Sequence, residues 1–118
     1  MTRISTNFYR AEFACKCGCG FDTVDTELIN VLQEIRYRFG KPITITSGCR
    51  CASHNAKVNG AKGSQHMLGR AADIKVADTS PKDVYDYLTA AYPDVYGFGL
   101  YPTFTHVDTR SGKPWRQP

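Results

Sequence analysis

Three side chains in this sequence have the chemistry to share a metal ion. Two, His66 and Asp73, lie in the stretch Ser64-Gln65-His66-Met67-Leu68-Gly69-Arg70-Ala71-Ala72-Asp73-Ile74; the third, His106, lies in Thr105-His106-Val107-Asp108. Imidazole nitrogen and carboxylate oxygen suit a borderline-soft divalent ion such as zinc. Three protein ligands leave a coordination position open, the arrangement in which a metal activates water or polarises a carbonyl. Gly69 and the small pair Ala71-Ala72 let the backbone turn tightly enough to bring His66 and Asp73 together. A histidine on its own more often satisfies a core hydrogen bond or faces solvent, and this His–Asp separation is not a generic zinc spacing. Spacing alone leaves both readings open.

The elements that must position these residues follow from periodicity. Leu28, Ile29, Leu32, Ile35 and Phe39 recur at helical intervals, with Asp25 as a cap, Gly40 at the end and Pro42 beyond. Ile43-Thr44-Ile45-Thr46-Ser47 alternates and is β-branched, so it reads as a strand that delivers Gly48-Cys49-Arg50 to a sheet end. A short helix is expected over 53–58, with His54 structural or facing solvent, and a loop over 61–69. A strand is expected over 72–76. Ser80-Pro81-Lys82-Asp83 opens a second long helix whose buried face is Val84, Leu88 and Ala91. Strands over 96–101 and 104–109 form a hairpin, and the tail from Ser111 reads as turn-forming. The fold class is α+β: one small domain over 1–118, an antiparallel sheet with two main helices packed on it. Alternation on the last strand puts Phe104, His106, Asp108 and Arg110 on one face. Asp108 then shares a side with His106.

The pattern Ser64-x-His66-x-x-Gly69-x-Ala71-x-Asp73, followed by His106-Val107-Asp108, resembles the zinc D-alanyl-D-alanine carboxypeptidase family. That family includes the VanX-type dipeptidases, phage peptidoglycan endopeptidases and the hedgehog signalling domain. Upstream, Thr46-Ser47-Gly48-Cys49-Arg50 is similar to the family's Ser-Gly-Tyr-Arg segment, with Cys49 in place of the usual Tyr. The likeness runs from about Phe13 to Arg110. It implies a hedgehog- or DD-peptidase-like fold, Zn2+ held by His66, Asp73 and His106, and Arg50 as the substrate or oxyanion partner. Arg50 suits either role, because its planar fork matches a carboxylate and its charge stabilises an oxyanion. Without the likeness, an ordinary ion pair is the plainer reading of Arg50.

The sequence departs from the family at the proton-transfer position. Several members carry a carboxylate where Thr103 stands, and others a histidine where Phe104 stands; neither residue here can take a proton. Asp108 is the remaining candidate, either as general base or as the group that holds a ligand imidazole, with a plain ion pair to Arg110 or Arg50 as the alternative. Ser64 can contact substrate or cap the local turn. Tyr96, Tyr101 and Trp115 can line a groove, or serve as ordinary packing. The resulting expectation is a zinc metallopeptidase that cleaves peptidoglycan stem peptides at bonds involving D-amino acids. A zinc-stabilised binding or structural module, such as a phage tail or lysis accessory, is the alternative, because the hedgehog likeness implies that this fold can keep a zinc centre as a binding module.

The five cysteines, Cys15, Cys17, Cys19, Cys49 and Cys51, fall in two clusters and cannot all pair within one chain. A second structural zinc, one disulfide between the clusters, or reduced thiols on apposed loops all fit that clustering. The net charge of +4 is scattered rather than blocked, which argues against a nucleic-acid footprint. No apolar run reaches the roughly 18 residues of a membrane span. Residues 1–5 lack the apolar core of a signal peptide, so the expectation is a protein made in the cytoplasm that reaches the wall after lysis or as part of a phage product.

Overall fold

Residues 2–118 are described by the computed structural model. The chain begins with a two-stranded antiparallel ribbon, β1 (Arg3–Ser5) and β2 (Phe8–Tyr9), followed by a 3-10 turn over Arg10–Phe13. Neither strand carries a long alternating run, and neither was expected from periodicity. Helix α1 (Thr26–Phe39) then buries Leu28, Ile29, Leu32 and Ile35 on one stripe and ends at Gly40 in the left-handed conformation. Asp25 occupies the N-cap, but its carboxylate accepts from Thr109 Oγ1 at 3.0 Å instead of capping the helix. That bond ties the start of α1 to the end of the strand that carries His106.

The main sheet is built from β3 (Ile43–Ser47), β4 (Ala71–Val76), β5 (Gly97–Leu100), β6 (Thr105–Asp108) and β7 (Trp115–Gln117), in the order β3-β4-β6-β5-β7. All neighbours are antiparallel except β5 and β7, which run parallel. The tail therefore closes the sheet edge. Its polar composition hid the strand, because an edge strand needs only one row of ladder bonds and a single half-buried Trp115 to hold it.

Between β3 and β4 come helix α2 (Ala52–Lys57) and a 3-10 turn over Gln65–Leu68; helix α3 (Pro81–Ala91) links β4 to β5. Ser80 accepts from the Asp83 amide and Pro81 takes the first helical position, as the sequence predicts. Both long helices contact β4, and α3 also contacts β5 and β6. Ala72, Ile74, Phe98 and Val107 join Leu28, Leu32, Val84 and Leu88 in one core. Each fully buried Leu or Ile contributes roughly 1.5–3 kcal/mol relative to exposure. Because strand side chains alternate, packing Ala72, Ile74 and Val107 against the helices turns Asp73, His106 and Asp108 to the opposite face. No helix among the described residues is long and apolar enough to cross a membrane.

Candidate metal centre

Asp73 and His106 stand directly opposite each other on β4 and β6. Their side chains meet without help from a loop, with His106 Nδ1 3.0 Å from Asp73 Oδ1. His66 arrives from the 3-10 turn. Ser64 caps that turn by accepting from the His66 amide, and Gly69 ends it at φ +68°. Any side chain at Gly69 would also press on the Thr23 carbonyl, with its Cβ 2.5 Å from that oxygen, so the glycine lets the turn lie against the segment entering α1. His66 Nε2 then lies 3.4 Å from Asp73 Oδ1.

The donor set fits a zinc ion. Bonds of about 2.0–2.1 Å in a tetrahedron place neighbouring donor atoms roughly 3.3–3.4 Å apart. The two separations to Asp73, 3.0 and 3.4 Å, bracket that spacing. The hydrogen bonds behind the ligands leave the correct nitrogens available. His66 Nδ1 donates to the Gly48 carbonyl at 2.6 Å, so Nε2 is the nitrogen turned toward the cup. His106 Nε2 donates to Asp108 Oδ2 at 2.8 Å, which leaves Nδ1 for a metal.

Asp108 is fully buried. Besides His106 it accepts from the Arg110 amide at 3.2 Å, from Arg110 Nε at 2.8 Å and from Arg110 Nη2 at 2.7 Å. Arg110 in turn stacks over Trp115, 5.0 Å from the ring centre, and Trp115 meets His106 edge to face at 5.6 Å. Space for the Asp108 carboxylate comes from Gly97, its partner on β5. A Cβ at position 97 would lie within 2.6 Å of Asp108 Cγ, and a carboxylate held by four donors cannot give way. We therefore expect Gly97→Ala to cost about 1–3 kcal/mol through overpacking. It should also weaken zinc binding about 10- to 100-fold by displacing the group behind His106. Thermal melts and a competitive zinc titration would check both, and unchanged values in each would refute the packing argument.

A cleft of about 570 Å3 opens beside the three candidate donors. Arg50 lines it, with Nε 3.4 Å from Ser47 Oγ, Nη1 donating to Asn55 Oδ1 at 3.2 Å, and Nη2 3.6 Å from Asp73 Oδ2. Asn55 is buried and also donates to the Ala61 carbonyl at 2.9 Å. Nothing in the sequence singles out Asn55, because an Asn in a short helix carries no pattern of its own. Ser64, Tyr101, Phe104 and Trp115 line the same cleft, and Tyr101 stacks on Phe104 at 4.7 Å. Tyr96 does not reach it; its hydroxyl donates to Glu27 and its ring packs on Tyr92 and Phe98. His54 sits in α2 and lies outside the donor cluster. Thr103 is exposed and borders a separate hollow with Ile74 and Pro81. Asp73 is the only carboxylate lining the cleft among the described residues.

The peptidase M15 family model matches residues 6–108. The chain belongs to the peptidase M15 family. Among curated proteins, the zinc D-Ala-D-Ala carboxypeptidase of Streptomyces albus G is 34% identical over 96 residues, 74% of this chain. The chain spans 36% of that relative's length. The M15 match spans His66, Asp73 and His106 as well as Arg50, and ends at Asp108. Arg110 and Trp115, which hold and cover the His106–Asp108 pair, lie beyond it.

Charge in this M15 site is tightly balanced. Burial would raise the Asp73 carboxyl, but hydrogen bonds from His106 and His66 outweigh it and hold the group well below the usual carboxylate range. Burial likewise opposes ionisation of Asp108, and its bonds from Arg110 and His106 win by a similar route. For His106, burial favours the neutral ring, yet Asp108 and Asp73 together raise its pKa above the ordinary value. The signs follow. The two depressed carboxyls stabilise the metal-free fold above their unfolded pKa of about 3.9, and that contribution is lost as pH falls. The raised His106 stabilises it below about pH 6.5, and that contribution is lost as pH rises through the higher folded value. Chelator-treated protein should therefore be most stable between about pH 4 and 6.5. The extra stability conferred by zinc should grow as pH rises, because the metal competes with the His106 proton. Urea melts with zinc and with chelator across pH would test this. A zinc increment that shrinks as pH rises would contradict it.

Proposed function

We propose that this chain is a zinc metallopeptidase that hydrolyses peptidoglycan stem peptides, as a carboxypeptidase or endopeptidase at bonds involving D-amino acids. The observation that carries this reading is the imidazole–carboxylate–imidazole cup facing a cleft lined by Arg50. The similarity to a zinc D-Ala-D-Ala carboxypeptidase supports the substrate class. Bound zinc supplies Lewis acidity, which polarises a carbonyl and lowers the pKa of water.

The chain's own residues do the rest. His66, Asp73 and His106 hold the ion, and the Gly48 carbonyl and Asp108 fix the two imidazoles so that they present their free nitrogens. Asp108, buried and fully engaged with donors, serves as the positioning group behind His106 and not as a general base. Arg50 binds either the developing oxyanion or the substrate carboxylate from across Asp73. Ser64 contributes chiefly by capping the His66 turn at the cleft wall. Tyr101, Phe104 and Trp115 offer an apolar wall to the peptide stem.

The absence of any carboxylate but Asp73 from the described cleft lining supports a second reading, a zinc-stabilised binding module. Purified sacculi and defined muropeptides, incubated with the zinc-loaded and then the chelated protein, separate the two. New stem-peptide termini or free D-alanine with zinc alone support the peptidase. Retained zinc, measurable muropeptide binding and no cleavage of any stem would favour the module.

A further inference from the structure

The cysteines sort into four and one. Cys15, Cys17, Cys19 and Cys51 bring their sulfurs within 4.8 Å of one another. Cys49 is buried apart from them, and its thiol donates to the Phe21 carbonyl at 2.9 Å. This division accounts for the odd count that pairing could not. Three of the separations are resolved: 3.5 Å for Cys15–Cys17, 3.6 Å for Cys17–Cys51 and 3.8 Å for Cys15–Cys51. Four thiolates at about 2.3 Å from a tetrahedral ion sit roughly 3.8 Å from one another. A disulfide would instead draw one pair to about 2.05 Å and leave the others aside. Three nearly equal spacings around a common centre describe a ligand cage.

We propose that Cys15, Cys17, Cys19 and Cys51 form a second, structural metal site that holds one zinc ion in a tetrathiolate cage. Four sulfur ligands in a closed tetrahedron are the donor set of structural zinc, with no position left for substrate. The spacing Cys-x-Cys-x-Cys is shorter than that of common zinc fingers, and the backbone explains how it is accommodated. Gly18 and Gly20 adopt φ +80° and +89°, with nothing near either α-carbon that a Cβ would strike. Their role is conformational: they wind the loop so that alternate residues turn inward. The Cys15 amide donates to the Phe21 carbonyl at 2.7 Å and the Gly18 amide to the Cys15 carbonyl at 3.2 Å, which closes the loop. Two backbone donors reach the sulfurs: the Cys51 amide to Cys15 Sγ and the His54 amide to Cys51 Sγ, both at 3.4 Å. Such bonds support thiolate charge behind a metal.

The site has a place in the architecture. Cys51 follows Arg50 directly, and the Arg50 amide donates to the His66 carbonyl at 2.9 Å. An ion at the cage would fasten the residue next to the cleft-lining Arg50 to the N-terminal loop that carries Cys15, Cys17 and Cys19. The assignment is independent of catalysis, since it uses none of the His66, Asp73 and His106 donors.

Elemental analysis of protein purified under reducing conditions with zinc tests it. Wild type should hold two zinc ions per chain, His66→Ala one, and the Cys17→Ser/Cys19→Ser double variant one. Reconstitution with Co2+ should give thiolate-to-cobalt charge-transfer absorption in wild type and in His66→Ala, absent from the cysteine variant. Should that variant fail to fold, wild type alone gives the answer: titration with a mercurial should release one equivalent of zinc as four thiols react. A single zinc per wild-type chain with no charge-transfer band on Co2+ would overturn the proposal. So would a mass lower by two hydrogens that maps a disulfide within the four.

Discussion

Asp73→Asn is expected to lose the catalytic metal and to depress peptide hydrolysis on the order of 10^3-fold or more, since water and carbonyl lose their Lewis acid together. The substitution keeps the shape of the side chain, so the sheet should stand. What it removes is the anion at the centre of the cup. Asp73 Oδ1 faces both imidazoles, and Oδ2 faces Arg50. A neutral amide is a poor zinc ligand, and it leaves Arg50 without its nearby anion. Zinc content by elemental analysis and turnover of a stem peptide should fall in parallel, as they should in His106→Ala and His66→Ala. Full turnover with zinc still bound to Asp73→Asn would remove the carboxylate from the ligand set.

Arg50→Lys is expected to lower kcat/KM by about 10^2- to 10^3-fold while zinc remains bound. The guanidinium is held along three directions at once, by Ser47, Asn55 and Asp73. A single ammonium on a flexible stem cannot reproduce that fork. The kinetics also divide the two roles that one arginine can play. A loss confined to kcat points to stabilisation of the oxyanion, and a loss confined to KM to binding of a substrate carboxylate. Asn55→Ala should move the same parameter by a smaller amount, because it frees one arm of the fork. Activity equal to wild type in Arg50→Lys would take Arg50 out of the reaction.

The parts of this fold that the sequence made legible are those set by periodicity and punctuation. Helix α1 follows from its apolar stripe and Gly40, helix α3 from Ser80 and Pro81, strand β3 from alternation, β4 from a short apolar run, and β5 and β6 as strand-like runs either side of the Pro102-Thr103 turn. The shared face of His106 and Asp108 follows from the two-residue period of a strand, and the structure joins them by a hydrogen bond. The rest depends on tertiary contact. Strand β7 exists because an edge was available beside β5. Gly97 looks like any strand glycine until Asp108 is placed opposite it. Asn55 matters only once Arg50 bends back toward α2. The capping role expected of the Asp25 side chain gave way to a partner, Thr109, that lies 84 positions away.

Because Asp73 and His106 occupy one rung of the β4–β6 ladder, an ion held between them would also favour the native strand alignment. A slip of a single residue would swing His106 to the helix side and bury Val107 among the ligands. Only the native alignment would offer such an ion all three donors. Refolding in the presence of zinc should therefore harvest the correctly aligned chain from any mixture of offsets.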